Sequence, residues 1–166
     1  MLLKKILIIF VLTVFSLNAF ANTPRSTGKY KNWESFTIET DKGKICFAQT
    51  IPTKRAPAAI KRNKSKLFVT FRPSESIKDE ISLTSGHDYK SSTVTASSGK
   101  RKYSFFSQKN FAWLLDDQEE QKFIKFMKRA TDVIVKARTA NGAETTEHYS
   151  MMGFTKAYNT AKKTCS

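Results

Sequence analysis

Imidazoles, thiols and turn-forming residues are scarce in this 166-residue chain: two His, two Cys, six Gly and four Pro. So few His and Cys leave little material for a metal site, and neither His-x-x-x-His nor Cys-x-x-Cys spacing occurs. Six Gly leave equally little for a glycine-rich nucleotide loop. Acidic residues are also in short supply, 14 against 29 Lys plus Arg, for a net charge of +15 and a pI near 9.9. A surface of that sign is drawn to anions without naming one. Apolar material is not lacking. Hydrophobic residues make up 40% of the chain and Phe alone contributes 13, enough to bury a core and to exclude global disorder. The length is that of one domain, with no internal repeat or low-complexity stretch.

The first 21 residues read as an address. Lys4 and Lys5 form a positive start, Ile6 to Leu17 is an apolar run broken only by Thr13 and Ser16, and Ala19-Phe20-Ala21 places small residues at the −3 and −1 positions of a cleavage site. The run is shorter than the roughly 18–20 residues that span a bilayer. The expectation is a cleaved secretory signal peptide over 1–21, a mature chain without a transmembrane segment, and residence in the periplasm, at the outer membrane surface or in the medium. An oxidising compartment permits disulfides. One intramolecular pairing exists, Cys46 with Cys165, closing a loop of about 120 residues at a nominal gain of roughly 5 kcal/mol.

Residues 22–31 are polar, with Pro24 and Gly28, and read as a flexible leader; 32–166 reads as one domain. Phe36 and Ile38 alternate with polar neighbours, Asp41 to Lys44 is a turn, and Ile45 to Gln49 returns. Leu67, Val69 and Phe71 alternate up to Pro73. Shorter strands follow at Ile81–Leu83, Val94–Ala96 and Tyr103–Ser107, and a hairpin turns at Asn141-Gly142 between Val133–Ala137 and Glu144–Ser150. Two segments carry helical spacing instead. Phe123, Phe126, Met127 and Ala130 follow a capping-box-like Asp117-Gln118-Glu119-Glu120, predicting a helix over about 117–129, and Phe154, Ala157, Tyr158 and Ala161 predict a second over about 153–163. The class is mainly β, a sandwich or barrel with two short helices.

Catalytic constellations are thin. Ser97-Ser98-Gly99-Lys100 and Ser26-Thr27-Gly28-Lys29 match Ser-x-x-Lys, but neither opens a convincing helix and no Ser-Asp-Asn or Lys-Thr-Gly accompanies them. His87 lies beside Asp88 in a turn and His148 lies in a strand. No catalytic, metal or cofactor residue is assigned. Lys54, Arg55, Lys61, Arg62, Lys64 and Lys66 form a cationic stretch with no acid, placed in a loop by Pro52 and Pro57. It is either a patch for phosphates of lipopolysaccharide or lipid, or a solvated loop of a lysine-rich chain. Its cations lack the interleaved aromatics of a nucleic-acid motif, so a nucleic-acid partner is not expected. Lys100-Arg101-Lys102 is a smaller cluster of the same kind. Phe105 and Phe106 fall on opposite faces of one strand, which argues against a joint stacking platform, and Trp33 and Trp113 read as core anchors.

An ordered series of short pieces resembles the invasion-associated locus B family of exported bacterial proteins. It runs through Gly43-Lys44-Ile45-Cys46-Phe47-Ala48 with Pro52, Leu67 to Pro73 with Glu75, Gly86 with Tyr89, and Ser92-Thr93-Val94. It continues with Ala112-Trp113-Leu114 and Tyr149 to Tyr158, before Cys165. The resemblance implies an immunoglobulin-like β-sandwich with two helices, a Cys46–Cys165 bond and a Gram-negative envelope location. It carries no catalytic residues to transfer; the family is named for host-cell invasion by some members. The expected function is a non-enzymatic envelope protein that binds a protein or an anionic component such as lipopolysaccharide or anionic lipid. The alternatives are an envelope hydrolase built around His87 and Asp88, and a chaperone-like partner using an open sheet edge.

Overall fold

Alternation of inward apolar and outward polar residues produces eleven strands in the computed structural model, which describes residues 22–166. The expected signal peptide falls on 1–21, outside the described residues. The strands are β1 (Arg25–Tyr30), β2 (Trp33–Thr40), β3 (Gly43–Thr50), β4 (Lys54–Ala56), β5 (Lys66–Arg72), β6 (Ile77–Thr84), β7 (Val94–Ser98), β8 (Arg101–Gln108), β9 (Phe111–Trp113), β10 (Asp132–Arg138) and β11 (Glu144–Ser150). Two helices join them, α1 (Asp117–Met127) and α2 (Phe154–Thr164). All pairings are antiparallel, in one sheet of order β1-β2-β3-β5-β6-β9-β8-β7-β10-β11-β4. The protein is mainly β, as the patterning predicts. Strand β8 pairs with β9 through its second half and with β7 through its first, so the sheet turns over there and its two halves share one core. Trp33, Ala48, Val69 and Leu83 supply that core from one half, and Val94, Ala96, Val135 and Tyr149 from the other.

The helices close the sides. In α1, Phe123 packs against Tyr103 and Phe105 with ring centroids 4.9 and 5.7 Å apart. The Asp116 side chain accepts from the Glu119 N–H at 2.9 Å, one residue ahead of the cap read from sequence. In α2, Phe154 meets Trp33 at 4.8 Å and Tyr158 meets Phe71 at 5.7 Å. This helix starts at Gly153 with φ +97°, where a Cβ would fall 1.8 Å from the Tyr30 carbonyl oxygen, so only glycine fits.

The stretch read as a flexible leader contains β1. It pairs with β2 and anchors through the Tyr30 hydroxyl, 2.9 Å from Thr160 Oγ1 on α2. The cationic stretch read as loop contains β4, paired with β11.

Candidate functional site

The disulfide forms as expected. Cys46 on β3 bonds Cys165 just after α2, with Cα atoms 5.8 Å apart, and the cross-link fastens the helix to the sheet beneath it.

The cationic stretch sorts itself by residue type. Its two arginines turn inward. Arg55 Nε lies 3.6 Å and Arg62 Nε 3.9 Å from Glu147 Oε1, and the Arg62 and Glu147 side chains are 2% and 0% exposed. Ser65 Oγ donates to Glu147 Oε1 and the Tyr149 hydroxyl donates to Oε2 at 3.0 Å. Arg55 Nη2 reaches the Asn63 carbonyl at 2.7 Å and Arg62 Nη2 the Ala56 carbonyl at 3.2 Å, while Arg55 Nε and Arg62 Nη1 are buried without a hydrogen-bond acceptor. Burial presses the Arg62 guanidinium pKa down against the opposing pull of Glu147, and raises that of the Tyr149 phenol. Strand alternation points Glu147 inward between Thr145 and Tyr149, and the guanidiniums make that tolerable. Arg62 is therefore an internal counter-ion, and Arg55, with its side chain 32% exposed, turns its Nε toward the same carboxylate from the rim. Lys54, Lys61 and Lys64 are exposed, and no carboxylate among the described residues lies within ion-pair distance of them. Lys66 is half-buried, its Nζ 5.8 Å over the Phe68 ring.

His87 stands beside this centre. Its Nε2 is 3.0 Å from Thr145 Oγ1 and its Nδ1 3.0 Å from the main-chain oxygen of Asp88. Its ring meets Tyr89 edge-on at 5.1 Å, and the Tyr89 hydroxyl donates to Ser85. The Asp88 contact runs through the backbone, and Asp88 itself is exposed, so the two residues do not form a carboxylate–imidazole pair. His148 faces outward on β11 opposite Lys54. Among the described residues no three His, Cys, Asp or Glu side chains group as a metal would require.

A second buried acidic centre lies where β6 runs past its pairing with β9. Asp79, buried with φ +64°, accepts from the Tyr158 hydroxyl at 2.7 Å and from Gln121 Nε2 at 2.6 Å, tying β6 to both helices. Glu120 accepts the Ile81 N–H at 3.0 Å, taking the place of a neighbouring strand. Burial raises the Glu120 carboxyl to about 7, helped by Glu80, Asp117 and Asp79 and opposed by the Ile81 hydrogen bond. Two clefts flank this centre. One of about 370 Å³ lies beside Cys165, between Phe71, Ile77, Asp79 and Lys162, and one of about 650 Å³ lies among Ser76, Glu80, Asp117 and Glu120.

These contacts reveal a charge separation that no local motif announces. Glu75, Asp79, Glu80, Asp116, Asp117, Glu119 and Glu120 are seven of the chain's 14 acids, and they gather around the start of β6 and of α1. Within the cluster Arg72 pairs with Glu75 and Glu80, Lys122 pairs with Glu119, and Lys78 lines the same cleft. The outward face of β2, β3 and β5 carries Phe36, Phe47 and Phe68 in contact at 5.2 and 6.1 Å, and Trp113 and Phe106 continue it in register across β9 and β8. Phe105 is core and Phe106 exposed, as alternation predicts, whereas Trp113 stacks on Phe111 at 5.9 Å on the outer face instead of anchoring the interior.

No family model, curated protein or solved structure matches the chain.

Proposed function

We propose that this chain is a non-enzymatic protein of the bacterial envelope that binds an anionic component, lipopolysaccharide or anionic lipid, through its lysine-rich surface. The observation that carries the reading is the sorting of the 54–66 stretch. Its arginines are consumed by Glu147, while Lys54, Lys61 and Lys64 are held outward with no carboxylate to neutralise them. A lysine side chain kept hydrated and unpaired is available to phosphate. Asp116 and Asp117 at the start of α1 are exposed and outside any ion pair among the described residues, so that end of the molecule is the one an anionic surface attracts least. Export, periplasmic or surface residence, immunoglobulin-like connectivity and kinship with the invasion-associated locus B family belong to the same proposal. The Cys46–Cys165 bond is weak support for an oxidising compartment.

The test is retention of the purified protein on immobilised lipopolysaccharide and on vesicles containing phosphatidylglycerol, across a salt series. Retention at low ionic strength that falls steeply towards 0.5 M salt, where the Debye length has shrunk to about 4 Å, is expected. A threefold substitution of Lys54, Lys61 and Lys64 by Ser should weaken it several-fold. Absent or salt-insensitive retention overturns the reading.

A further inference from the structure

Three loops meet at the end of the sheet where β2 begins. They are the β1–β2 turn at Lys31-Asn32, the segment Ile51-Pro52-Thr53 leaving β3, and Met151-Met152-Gly153 between β11 and α2. They are tied together by hydrogen bonds. The Asn32 N–H donates to the Met152 carbonyl at 3.2 Å, Thr50 Oγ1 to the Asn32 carbonyl at 2.7 Å, Trp33 Nε1 to the Ser150 carbonyl at 2.9 Å and the Thr53 N–H to the His148 carbonyl at 2.7 Å. On this braced tip two large apolar side chains face solvent, Ile51 at 60% and Met152 at 50% exposure. Lys29 and Lys31 line a shallow cleft of about 310 Å³ together with Ile51. Lys54 follows Ile51 by three residues, and Lys156 is exposed in the first turn of α2 just beyond Met152. Two acids also lie at this end: Glu34, which lines the cleft and accepts from Ser26 at 2.7 Å, and exposed Asp132, which sits opposite Ser150 at the start of β10; the four lysines outnumber them.

From this arrangement we infer that the tip is a membrane-docking surface, which seats Ile51 and Met152 among the acyl chains of an anionic bilayer while Lys29, Lys31, Lys54 and Lys156 meet lipid phosphates. The inference rests on the anionic-surface reading above and narrows it to lipid. Exposed apolar side chains ringed by lysines match a bilayer surface at two depths, apolar below and anionic above. Neither lysines alone nor apolar residues alone would do so. The opposite case is present in the same molecule. Leu115 is 76% exposed but precedes Asp116 and Asp117 in the acidic pole, where an anionic surface would repel it. The tip needs little reordering to bind, because its loops are already bonded to one another.

Sedimentation with vesicles of pure phosphatidylcholine and of phosphatidylcholine with about one third phosphatidylglycerol tests this, alongside binding to soluble heparin as a polyanion without acyl chains. The expected result is that Ile51→Ser with Met152→Ser lowers the partition onto anionic vesicles roughly tenfold or more and leaves heparin binding unchanged. Leu115→Ser, which removes a still more exposed apolar side chain, should change neither. An Ile51→Trp variant should show a blue-shifted emission increment on adding anionic vesicles. Wild-type partition by the double Ser variant, or loss caused equally by Leu115→Ser, overturns the tip while leaving general anion binding intact. Failure of the wild-type protein to bind anionic vesicles, heparin and immobilised lipopolysaccharide alike overturns both readings.

Discussion

Two glutamates are buried in this molecule, and their surroundings are opposite. Glu147 lies between two guanidiniums and receives two hydroxyl donors, all but Tyr149 contributed by a segment more than 80 residues earlier in the chain. Glu120 has one main-chain N–H and a set of acidic neighbours. Burial alone does not decide what a carboxyl does; the charge of the groups buried with it does. The first centre holds the 54–66 segment onto β11 and works as a lock. The second holds α1 against an open stretch of β6 and responds to protons.

The contrast can be broken at its strongest point first. Glu147→Gln leaves Arg55 and Arg62 facing each other without a carboxylate, and should cost roughly 3–5 kcal/mol in urea unfolding. A loss below about 1 kcal/mol would mean that the pair contributes no more than a surface contact. Glu120→Gln should act with the other sign. Because the folded carboxyl titrates near 7 rather than at its usual 4.5, the native state keeps a proton that the unfolded chain has already lost. Wild-type stability from this group is therefore full below about pH 4.5, declines as pH rises through the window, and is gone above about 7. The Gln variant should lose that slope and be more stable than wild type at pH 8 by roughly 2 kcal/mol, read from urea midpoints at several pH values. The smallest effect is expected of Tyr158→Phe, which takes one donor from Asp79 and leaves Gln121 in place. About 1 kcal/mol should be lost, with faster amide exchange in α2 than in α1.

What was legible in the sequence follows the range of the forces involved. Both helices and the 132–150 hairpin carry their signal within a dozen residues, as apolar spacing, caps and an Asn-Gly turn, and all appear within a residue or two of their expected places. Strand β1 does not carry such a signal. Arg25, Ser26 and Lys29 present no apolar face, and what makes it a strand is its ladder with β2 and a tyrosine hydroxyl reaching α2. The 54–66 stretch was legible as cationic but not as two populations, because the acid that claims its arginines lies more than 80 residues further on. The tip was invisible for the same reason, since the loops that carry Ile51 and Met152 are joined, through Asn32, only by folding.

The clasp between Tyr30 and the start of α2 has a consequence for the order of assembly. Synthesis delivers the first three strands early, yet the helix that roofs Trp33 and Cys46 follows them by more than 100 residues. Until then the faces of Trp33 and Cys46 that it covers stay open to water. A nascent polypeptide built this way profits from a holdase that covers those apolar side chains until α2 is made.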